Sequence, residues 1–432
     1  MKNIIKYLDQ YAEKHIIESG NQLASYLSNH LSHCVSDTLA NNLINEVDRS
    51  SIKSQVFDHV VVIPAYKEST DFIERILSSA LIEQNVLFIV VINQPDNDLD
   101  QYPQQTLAKF IKHSGTSVLT HQGIELISTN KSSHFLIIDA FTQPLPVDHG
   151  VGLARKIGSD LALLLTSKNI IQSDWIHSTD ADAHLPDDYF CATKLLDKTS
   201  HAKNISAVSY NFTHVSDDVD IHAANSLYET ALRYYVNGLT FAGSSYDFFT
   251  IGSVIAFKAK DYAMVRGFPK RSAGEDFYLL NKLAKLGQVE FLKNTIVKID
   301  ARTSDRVPFG TGPSVANIMQ LKINNQPYCY YHPQVFEELK VCLSHFNSLW
   351  GNRVTFDTWL SALSNESQQA LLEAKLDSFV TKQKNNNQIQ FNKQLNVWFD
   401  AFKTLKFIHS LREQKYADIP LQQGLELAKF SL

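Results

Sequence analysis

The chain has 432 residues, which is enough for a catalytic domain of a few hundred residues and an accessory region. Hydrophobic residues make up 44% and charged residues 20%, as in an ordinary soluble protein and unlike a disordered one. The net charge of -5 argues against a nucleic-acid partner, although a local basic patch stays open. The cysteines are scattered without a C-x-x-C pair, which predicts reduced thiols: Cys34, Cys191, Cys329 and Cys342.

The segment 1–57 has apolar residues at helical spacing and predicts an N-terminal helical region. Its charges are spread throughout, so it lacks the apolar core of a secretory signal, and no later run is long enough to cross a bilayer. We therefore expect a cytoplasmic protein without a transmembrane segment. Peripheral membrane contact through an interfacial helix stays open.

The next segment predicts a strand, a helix and a second strand. HVVVIPAYKES is a β-branched run that ends at Pro64, residues 72–82 have helical periodicity, and residues 86–92 form a run apolar on both faces. Further strands are predicted at 134–140, 175–178, 205–212 and 250–257, with helices at 151–165 and 221–237. This alternation predicts an α/β fold with an open sheet. Pro64, Asn93 and Asp180 would then share the crevice at the carboxyl ends of the strands.

Helical segments broken by prolines follow residue 312. The predicted organisation is therefore an N-terminal helical segment, 1–57, a central α/β domain, 58–312, and a helical C-terminal region, 313–432.

Two aspartates, Asp180 and Asp182, flank Ala181 directly after the predicted strand 175–178. Carboxylates at this spacing can share Mg²⁺ or Mn²⁺, which keeps several waters and takes its other ligands from substrate phosphates. The pattern therefore indicates a metal-diphosphate site. A chance pair of turn aspartates is the plain alternative. His177, His184 and His332 are excluded from the predicted metal ligands, because a lone histidine is more often structural.

Two further segments carry groups suited to a donor site. The turn after Pro64 offers Tyr66 and Glu68 to a base and ribose, or is an ordinary strand-to-helix turn. In GVGLARKIG, Arg155 lies in the first turns of a helix and could reach a base or a phosphate. Alternatively, Arg155 and Lys156 form a solvated helix face.

Glu275 and Asp276 stand at the start of an amphipathic helix in GEDFYLLNKLAKLG. Acidic residues in a first turn are favoured by the helix dipole, and this role alone would explain them. Alternatively, Asp276 accepts the proton of an acceptor hydroxyl as its oxygen attacks a sugar carbon. The later loop ARTSDRVPFGTG could close over a diphosphate through Arg306, or be a surface loop.

The segment 60–312 resembles the family 2 glycosyltransferases, which have the GT-A fold. Four motifs agree in order and spacing with those of the family: Val62, Ile63, Pro64, Tyr66 and Glu68; Ala154, Arg155, Lys156, Ile157 and Gly158; Asp180, Asp182 and Pro186; and Gly252, Ser253, Gly267, Phe268, Glu275 and Asp276. Two departures stand out. Asn93 occupies the place of a common acidic residue, for which Asp96 is a possible substitute, and Lys156 replaces an asparagine and could add a phosphate contact.

The resemblance implies a glycosyltransferase of hexosyltransferase type that moves a sugar from a nucleotide-diphosphate donor to a hydroxyl acceptor. We expect an inverting enzyme that depends on Mn²⁺ or Mg²⁺ at Asp180 and Asp182. Asp276 and Glu275 are the expected catalytic residues, and Gly252 and Ser253 the expected acceptor site. The expected donor site consists of Pro64, Ala65, Tyr66, Glu68, Asn93, Asp96, Arg155, Asp180, Ala181, Asp182 and Arg306.

Three alternatives use the same crevice: a retaining transferase, a nucleotidyltransferase, and a non-catalytic nucleotide-sugar-binding scaffold. The sugar, the base and the acceptor are open at this stage.

Overall fold

The computed structural model describes residues 2–39, 57–302 and 310–432, and only the backbone of residues 30–39. The chain forms two compact units. The first holds Met1–Thr213 and Thr250–Asp300, and the second holds His214–Phe249 and Ala301–Leu432. Residues 214–249, which the sequence analysis placed in the α/β domain, therefore pack with the C-terminal region. The rest of the predicted N-terminal helical segment, residues 40–56, lies outside the described residues.

Ten strands form one sheet, in the order β3-β4-β5-β2-β1-β6-β9-β8-β10-β7. Their bounds are β1 His59–Ala65, β2 Val86–Pro95, β3 Thr116–His121, β4 Ile124–Ser128, β5 His134–Leu145, β6 Trp175–Ser178, β7 Ala183–His184, β8 Ile205–Val215, β9 Ile255–Lys258 and β10 Gln288–Asp300. A separate two-stranded sheet pairs β11 Cys329–Tyr330 with β12 Ile419–Pro420.

The helices are α1 Lys2–Gln10, α2 Lys14–Leu39, α3 Asp71–Ser78, α4 Tyr102–His113, α5 Gly150–Ser167, α6 Tyr189–Leu196, α7 Val219–Ala242, α8 Ala259–Met264, α9 Glu275–Leu283, α10 Thr311–Ile323, α11 Gln334–Leu349, α12 Phe356–Leu360, α13 Asn365–Glu373, α14 Leu376–Lys382, α15 Gln388–Trp398, α16 Ala401–Gln414 and α17 Leu421–Leu427. In the described part of the chain, none of them is long and apolar enough to cross a membrane.

The centre of the sheet is parallel, as the apolar runs of β1 and β2 predict. Strand β1 pairs in parallel with β2 on one side and β6 on the other, and β2 pairs in parallel with β5. The strand order thus reverses at β1, and a crevice for a ligand is expected at the carboxyl ends of β1 and β6. The predicted α/β fold class is confirmed. The β3–β4 hairpin and β10 were not predicted.

Helix α5 packs between the sheet and the N-terminal helices, and small residues allow the close contact on both sides. A Cβ on Gly158 would lie 2.4 Å from Val62 of β1, so α5 lies directly on the sheet. A Cβ on Gly20 of α2 would lie 2.6 Å from side-chain atoms of Leu161 and Leu164. Helix α5 is therefore buried along most of its length.

The second unit is largely helical. Helix α7 begins at an Asp218 cap, whose carboxylate accepts hydrogen bonds from two backbone N–H groups of the first turn. A Cβ on Gly238 of α7 would lie 2.7 Å from the ring of Phe336, so α7 and α11 approach closely. Both helices contribute to a core rich in Phe, Leu and Tyr.

Candidate functional site

The two aspartates lie in the turn between β6 and β7. The N–H of Thr179 donates to the Val62 carbonyl of β1 at 3.0 Å, and the N–H of Ala183 donates to the Asp180 carbonyl at 3.1 Å. Ala181 is buried, whereas the Asp180 side chain is 32% exposed and Asp182 is half-buried. The pair therefore follows the carboxyl end of β6.

Arg155 joins this turn to the acidic start of α9. Its side chain is buried, and its Nη2 donates to Asp180 Oδ1 at 2.7 Å while its Nε donates to Glu275 Oε1 at 2.8 Å. Its Nη1 donates to Ser178 Oγ at 2.9 Å and to the Thr179 carbonyl at 3.3 Å. The aspartate turn and the Glu-Asp helix start thus lie on either side of one guanidinium. The alternative of a solvated helix face at Arg155 is wrong.

Two glycines allow close contacts near Arg155, one beside its guanidinium and one between α5 and the loop before α9. A Cβ on Gly252 would lie 2.3 Å from Arg155 Nη2. A Cβ on Gly152 would lie 2.5 Å from the Pro269 carbonyl oxygen, in the loop that leads to α9, and the Gly152 N–H donates to the Arg271 carbonyl at 3.0 Å. Helix α5 and the loop before α9 are therefore in direct contact.

The acidic pair consists of two carboxyl groups in different environments. Glu275 is buried against Arg155, whereas Asp276 is half-buried. Burial, followed by repulsion from Glu275, raises the pKa of Asp276 to about 7, although Arg155 opposes this. A carboxyl group with a pKa near neutrality is suited to proton exchange with a substrate hydroxyl.

The charge of Arg155 itself is secured by the same groups. Burial alone would lower the pKa of its guanidinium, but the surrounding carboxylates, first of all that of Asp180, raise the pKa above its usual range. Arg155 therefore stays cationic and balances only part of the negative charge gathered around it.

The loops after β1 and β2 are tied together by Asp98, a residue that the sequence analysis missed. Its Oδ2 accepts a hydrogen bond from Tyr66 Oη at 2.7 Å and pairs with Lys67 Nζ at 2.9 Å. Asp96 is the predicted substitute for the acidic residue that binds the nucleotide base. Its Oδ1 instead accepts a hydrogen bond from the Val147 N–H at 3.1 Å. The cluster of polar residues in NQPDND was visible in the sequence, but nothing in it distinguished Asp98 from Asp96.

Asn93 is a buried amide on the neighbouring part of β2. It lies near the end of β2 and is 6% exposed, and its Oδ1 has no hydrogen-bond partner among the described residues. A buried amide with an unused acceptor can bind a polar ligand edge.

Lys156 does not face the crevice, so the predicted phosphate contact is wrong. Its Nζ lies 2.9 Å from Asp160 Oδ2 and 2.6 Å from Tyr7 Oη, and both the lysine and the aspartate are buried. Tyr7 Oη and Tyr262 Oη donate to the other carboxylate oxygen of Asp160 at 2.5 Å and 3.0 Å. Lys156 thus belongs to a network that joins α5 to the N-terminal helix α1.

The remaining predicted residues are placed as follows. Pro64 and Ala65 are buried at the end of β1, and Glu68 is half-buried in the loop that follows. Ser253 is buried, and its carbonyl accepts a hydrogen bond from Thr179 Oγ1 at 2.7 Å. Arg306 lies outside the described residues. The acceptor role of Gly252 and Ser253 stays a prediction.

The aspartate pair has the chemistry of a hard cation site. In the described part of the chain, no group of three or more His, Cys, Asp and Glu residues could hold a metal ion. Two carboxylates beside an incompletely balanced negative cluster fit Mg²⁺ or Mn²⁺ that takes its remaining ligands from water and phosphate. His184, which follows the pair, has its Nε2 2.7 Å from Asp300 Oδ1.

Comparison with protein-family models gives no match, and comparison with curated proteins gives none.

Comparison with solved structures gives matches over most of the chain. TarS of S. aureus, in complex with UDP-GlcNAc, is 10% identical over 84% of this chain and 93% of that chain, with a TM-score of 0.39. The mannosyltransferase PcManGT from Pyrobaculum calidifontis, in complex with GDP-Man and Mn²⁺, is 14% identical over 93% of this chain and 99% of that chain, with a TM-score of 0.36.

Glucosyl-3-phosphoglycerate synthase from Mycobacterium tuberculosis, in complex with Mn²⁺, UDP and glucosyl-3-phosphoglycerate, is 12% identical over 64% of this chain and 84% of that chain, with a TM-score of 0.34. TM-scores this low carry no conclusion about the chemistry of this chain.

Proposed function

We propose that this protein is a glycosyltransferase of hexosyltransferase type that moves a sugar from a nucleotide-diphosphate donor to a hydroxyl acceptor with inversion. The observation that carries the proposal is the Arg155 guanidinium, which bonds to Asp180 of the aspartate pair and to Glu275 of the acidic pair. The proposed cation-binding turn and the candidate base are therefore joined through one side chain, and this proximity supports transfer from a diphosphate donor.

In the proposed reaction, the acceptor oxygen attacks the anomeric carbon of the donor sugar. The bond from that carbon to the diphosphate oxygen breaks, and the electron pair leaves with the nucleoside diphosphate. Asp276 takes the acceptor proton. Its position in the first turn of α9, next to the Arg155-bound Glu275, supports this role, and its raised pKa makes it a stronger base than an ordinary carboxylate.

Asp180 and Asp182 would hold Mn²⁺ or Mg²⁺, and the ion supplies positive charge to the leaving diphosphate. Arg155 orients Asp180 and Glu275 in this proposal, because its hydrogen bonds already go to protein atoms. Glu275, buried and paired, fixes the start of α9 and hence the position of Asp276. The loops after β1 and β2, joined through Asp98, would hold the nucleoside together with Asn93.

A direct test is a screen of UDP- and GDP-sugars with Mn²⁺ in two steps. The proposal predicts that at least one donor raises Tm in the presence of Mn²⁺, and that the same donor releases its nucleoside diphosphate when a panel of hydroxyl acceptors is added. NMR of the product should show an inverted anomeric configuration. A donor that binds with no transfer to any acceptor would favour the non-catalytic scaffold. Formation of UTP or GTP and a sugar phosphate from the donor and added pyrophosphate would favour a nucleotidyltransferase.

A further inference from the structure

Arg75, in the last turn of α3, binds the backbone of the aspartate turn. Its Nη2 donates to the Ala181 carbonyl at 2.7 Å and to the Ala183 carbonyl at 3.4 Å. These carbonyls belong to the residues on either side of Asp182. Arg75 also lines, together with Asp180 and Thr179, a cavity of about 210 Å³ at the end of β6.

The same turn is also held by Asp300 at the end of β10. The Asp300 N–H donates to the Asp182 carbonyl at 2.9 Å, and β7 pairs with β10 at Ala183 and His184. One carboxylate oxygen of Asp300 lies 2.7 Å from His184 Nε2, and the other lies 3.9 Å from Arg75 Nη1. The backbone around Asp182 is thus bound by residues of both α3 and β10.

We propose that Arg75 is a positioning residue for the metal ligands, an inference that rests on the proposed metal-dependent transfer. The bond from Arg75 to the Ala181 carbonyl fixes the peptide plane before Asp182, and the bond from the Asp300 N–H to the Asp182 carbonyl fixes the plane after it. Those planes set the direction of the Asp182 Cα–Cβ bond, and hence where its carboxylate lies relative to Asp180. Lysine carries the same charge but has a single nitrogen, so it cannot bind these carbonyls and also face Asp300 as Arg75 does through Nη1.

The direction in which a substitution of Arg75 changes the affinity for the metal ion separates the positioning role from a simple charge effect. Arg75 is a cation close to a proposed cation site, so its charge alone repels the metal ion. If charge were its only contribution, replacing Arg75 with a neutral residue would strengthen metal binding. If it positions the ligands, the same replacement weakens binding, because the two carboxylates no longer converge.

The experiment measures Mn²⁺ binding from the EPR signal of the free ion, with UDP or GDP present and protein-free blanks subtracted. It compares the wild type with Arg75→Met, Arg75→Lys and Asp182→Asn. Lys131→Met is the matched control. Lys131 is a surface cation that lies just before the amino end of β5 and pairs with Glu83. Circular dichroism and urea unfolding of each variant show that it is folded under the conditions of the titration.

The inference predicts that both Arg75 variants weaken Mn²⁺ binding by about tenfold or more, the range found when a residue that orients metal ligands is removed. Lys131→Met should bind as the wild type does. Unchanged or tighter Mn²⁺ binding in Arg75→Met, with Asp182→Asn impaired, would overturn the positioning role and leave the metal assignment intact. A wild type that binds no Mn²⁺ would overturn both. Should Arg75→Met fail to fold, the Arg75→Lys result decides.

Discussion

Arg155 connects segments of the chain that are far apart in sequence. Its hydrogen-bond partners include Ser178, 23 positions away, and Glu275, 120 positions away. The sequence supports the choice of each residue as a candidate, but no spacing within it indicates that Arg155 bonds to both acidic motifs. Pairings of this kind arise from the packing of α5 against the sheet and against the loop before α9, and single-sequence patterns do not encode them.

Replacement of Arg155 by methionine should lower the free energy of unfolding by about 3 kcal/mol or more, because it leaves Glu275 buried without its cationic partner. Urea unfolding measures the loss. The double variant Arg155→Met with Glu275→Gln should recover part of it, since the unpaired charge is then gone. A loss below about 1 kcal/mol in the single variant would show that the buried pair is not formed.

Asp276 should make activity and stability depend on pH near neutrality. A general base must be ionised, so turnover with donor saturating should fall as the pH decreases through about 7. The folded-state pKa lies above the unfolded value of about 3.9, so ionisation opposes folding. The protonated Asp276 carboxyl group therefore contributes to the free energy of unfolding at low pH. This contribution is lost as the pH rises from about 4 to about 7.

Asp276→Asn removes that titration, so its Tm relative to the wild type should be higher at pH 8 than at pH 5. Thermal unfolding at the two pH values measures the difference. Asp187→Asn, at an exposed position, is the control and should show no such trend. An equal Tm difference at both pH values would exclude the raised pKa.

At the scale of elements, the strands that carry the site were predictable and the sheet edges were not. Strands β1 and β2 are continuous apolar runs because both of their faces are buried. Strand β3 has no fully buried residue and β10 alternates irregularly, so their sequences lack such a signal. The burial of Lys156 was also hidden, because its partner Tyr7 lies 149 positions away.

Helix α1 should contribute to stability through the Tyr7 hydroxyl. Tyr7→Phe removes the hydroxyl that donates to Asp160 and accepts from Lys156, and both of these groups are buried. We expect a loss of about 1–3 kcal/mol in the free energy of unfolding, measured with urea. The matched control is Tyr11→Phe, because the Tyr11 ring stacks on that of Tyr7 with 6.2 Å between the ring centroids. This variant should change the free energy of unfolding little. Equal effects of the two variants would contradict the network.

The whole molecule should lose stability in mild acid because two histidines, His59 and His177, are buried in the first unit. The His59 ring stacks on that of Phe190 with 4.1 Å between the ring centroids. Burial lowers the pKa of His59 to about 3 and also lowers the pKa of His177. The folded-state pKa values lie below the unfolded value of about 6.5, so protonation favours unfolding. Stability contributed by the neutral rings is present above about pH 6.5 and is lost as the pH falls toward 3.

His59→Phe keeps a ring against Phe190 and removes one titrating group. Between pH 6 and pH 4, the free energy of unfolding of this variant should fall less steeply than that of the wild type, by up to about 1.4 kcal/mol per pH unit. Urea unfolding at several pH values measures the slope. The exposed His113 provides the control variant His113→Phe, which should keep the wild-type slope. Identical slopes for all three proteins would contradict a neutral, buried His59.

The division into two units also shows what the sequence could not predict about the molecule as a whole. The sequence indicates helix α7 from its periodicity, but helical periodicity does not say which core the apolar side of a helix joins. In the structure, Tyr234 of α7 is buried in the same core as Phe336 of α11. The predicted boundary at residue 312 therefore followed the order of elements along the chain, whereas the units follow their packing.

The central claim is that Asp276 removes the acceptor proton beside a donor held at the aspartate pair. Its most direct test compares wild type and Asp276→Asn with the donor identified by the screen, using calorimetry for donor binding with Mn²⁺ and product formation for transfer. We predict donor affinity within about threefold of the wild type and transfer slower by about a hundredfold or more. Transfer at the wild-type rate by Asp276→Asn would contradict the account.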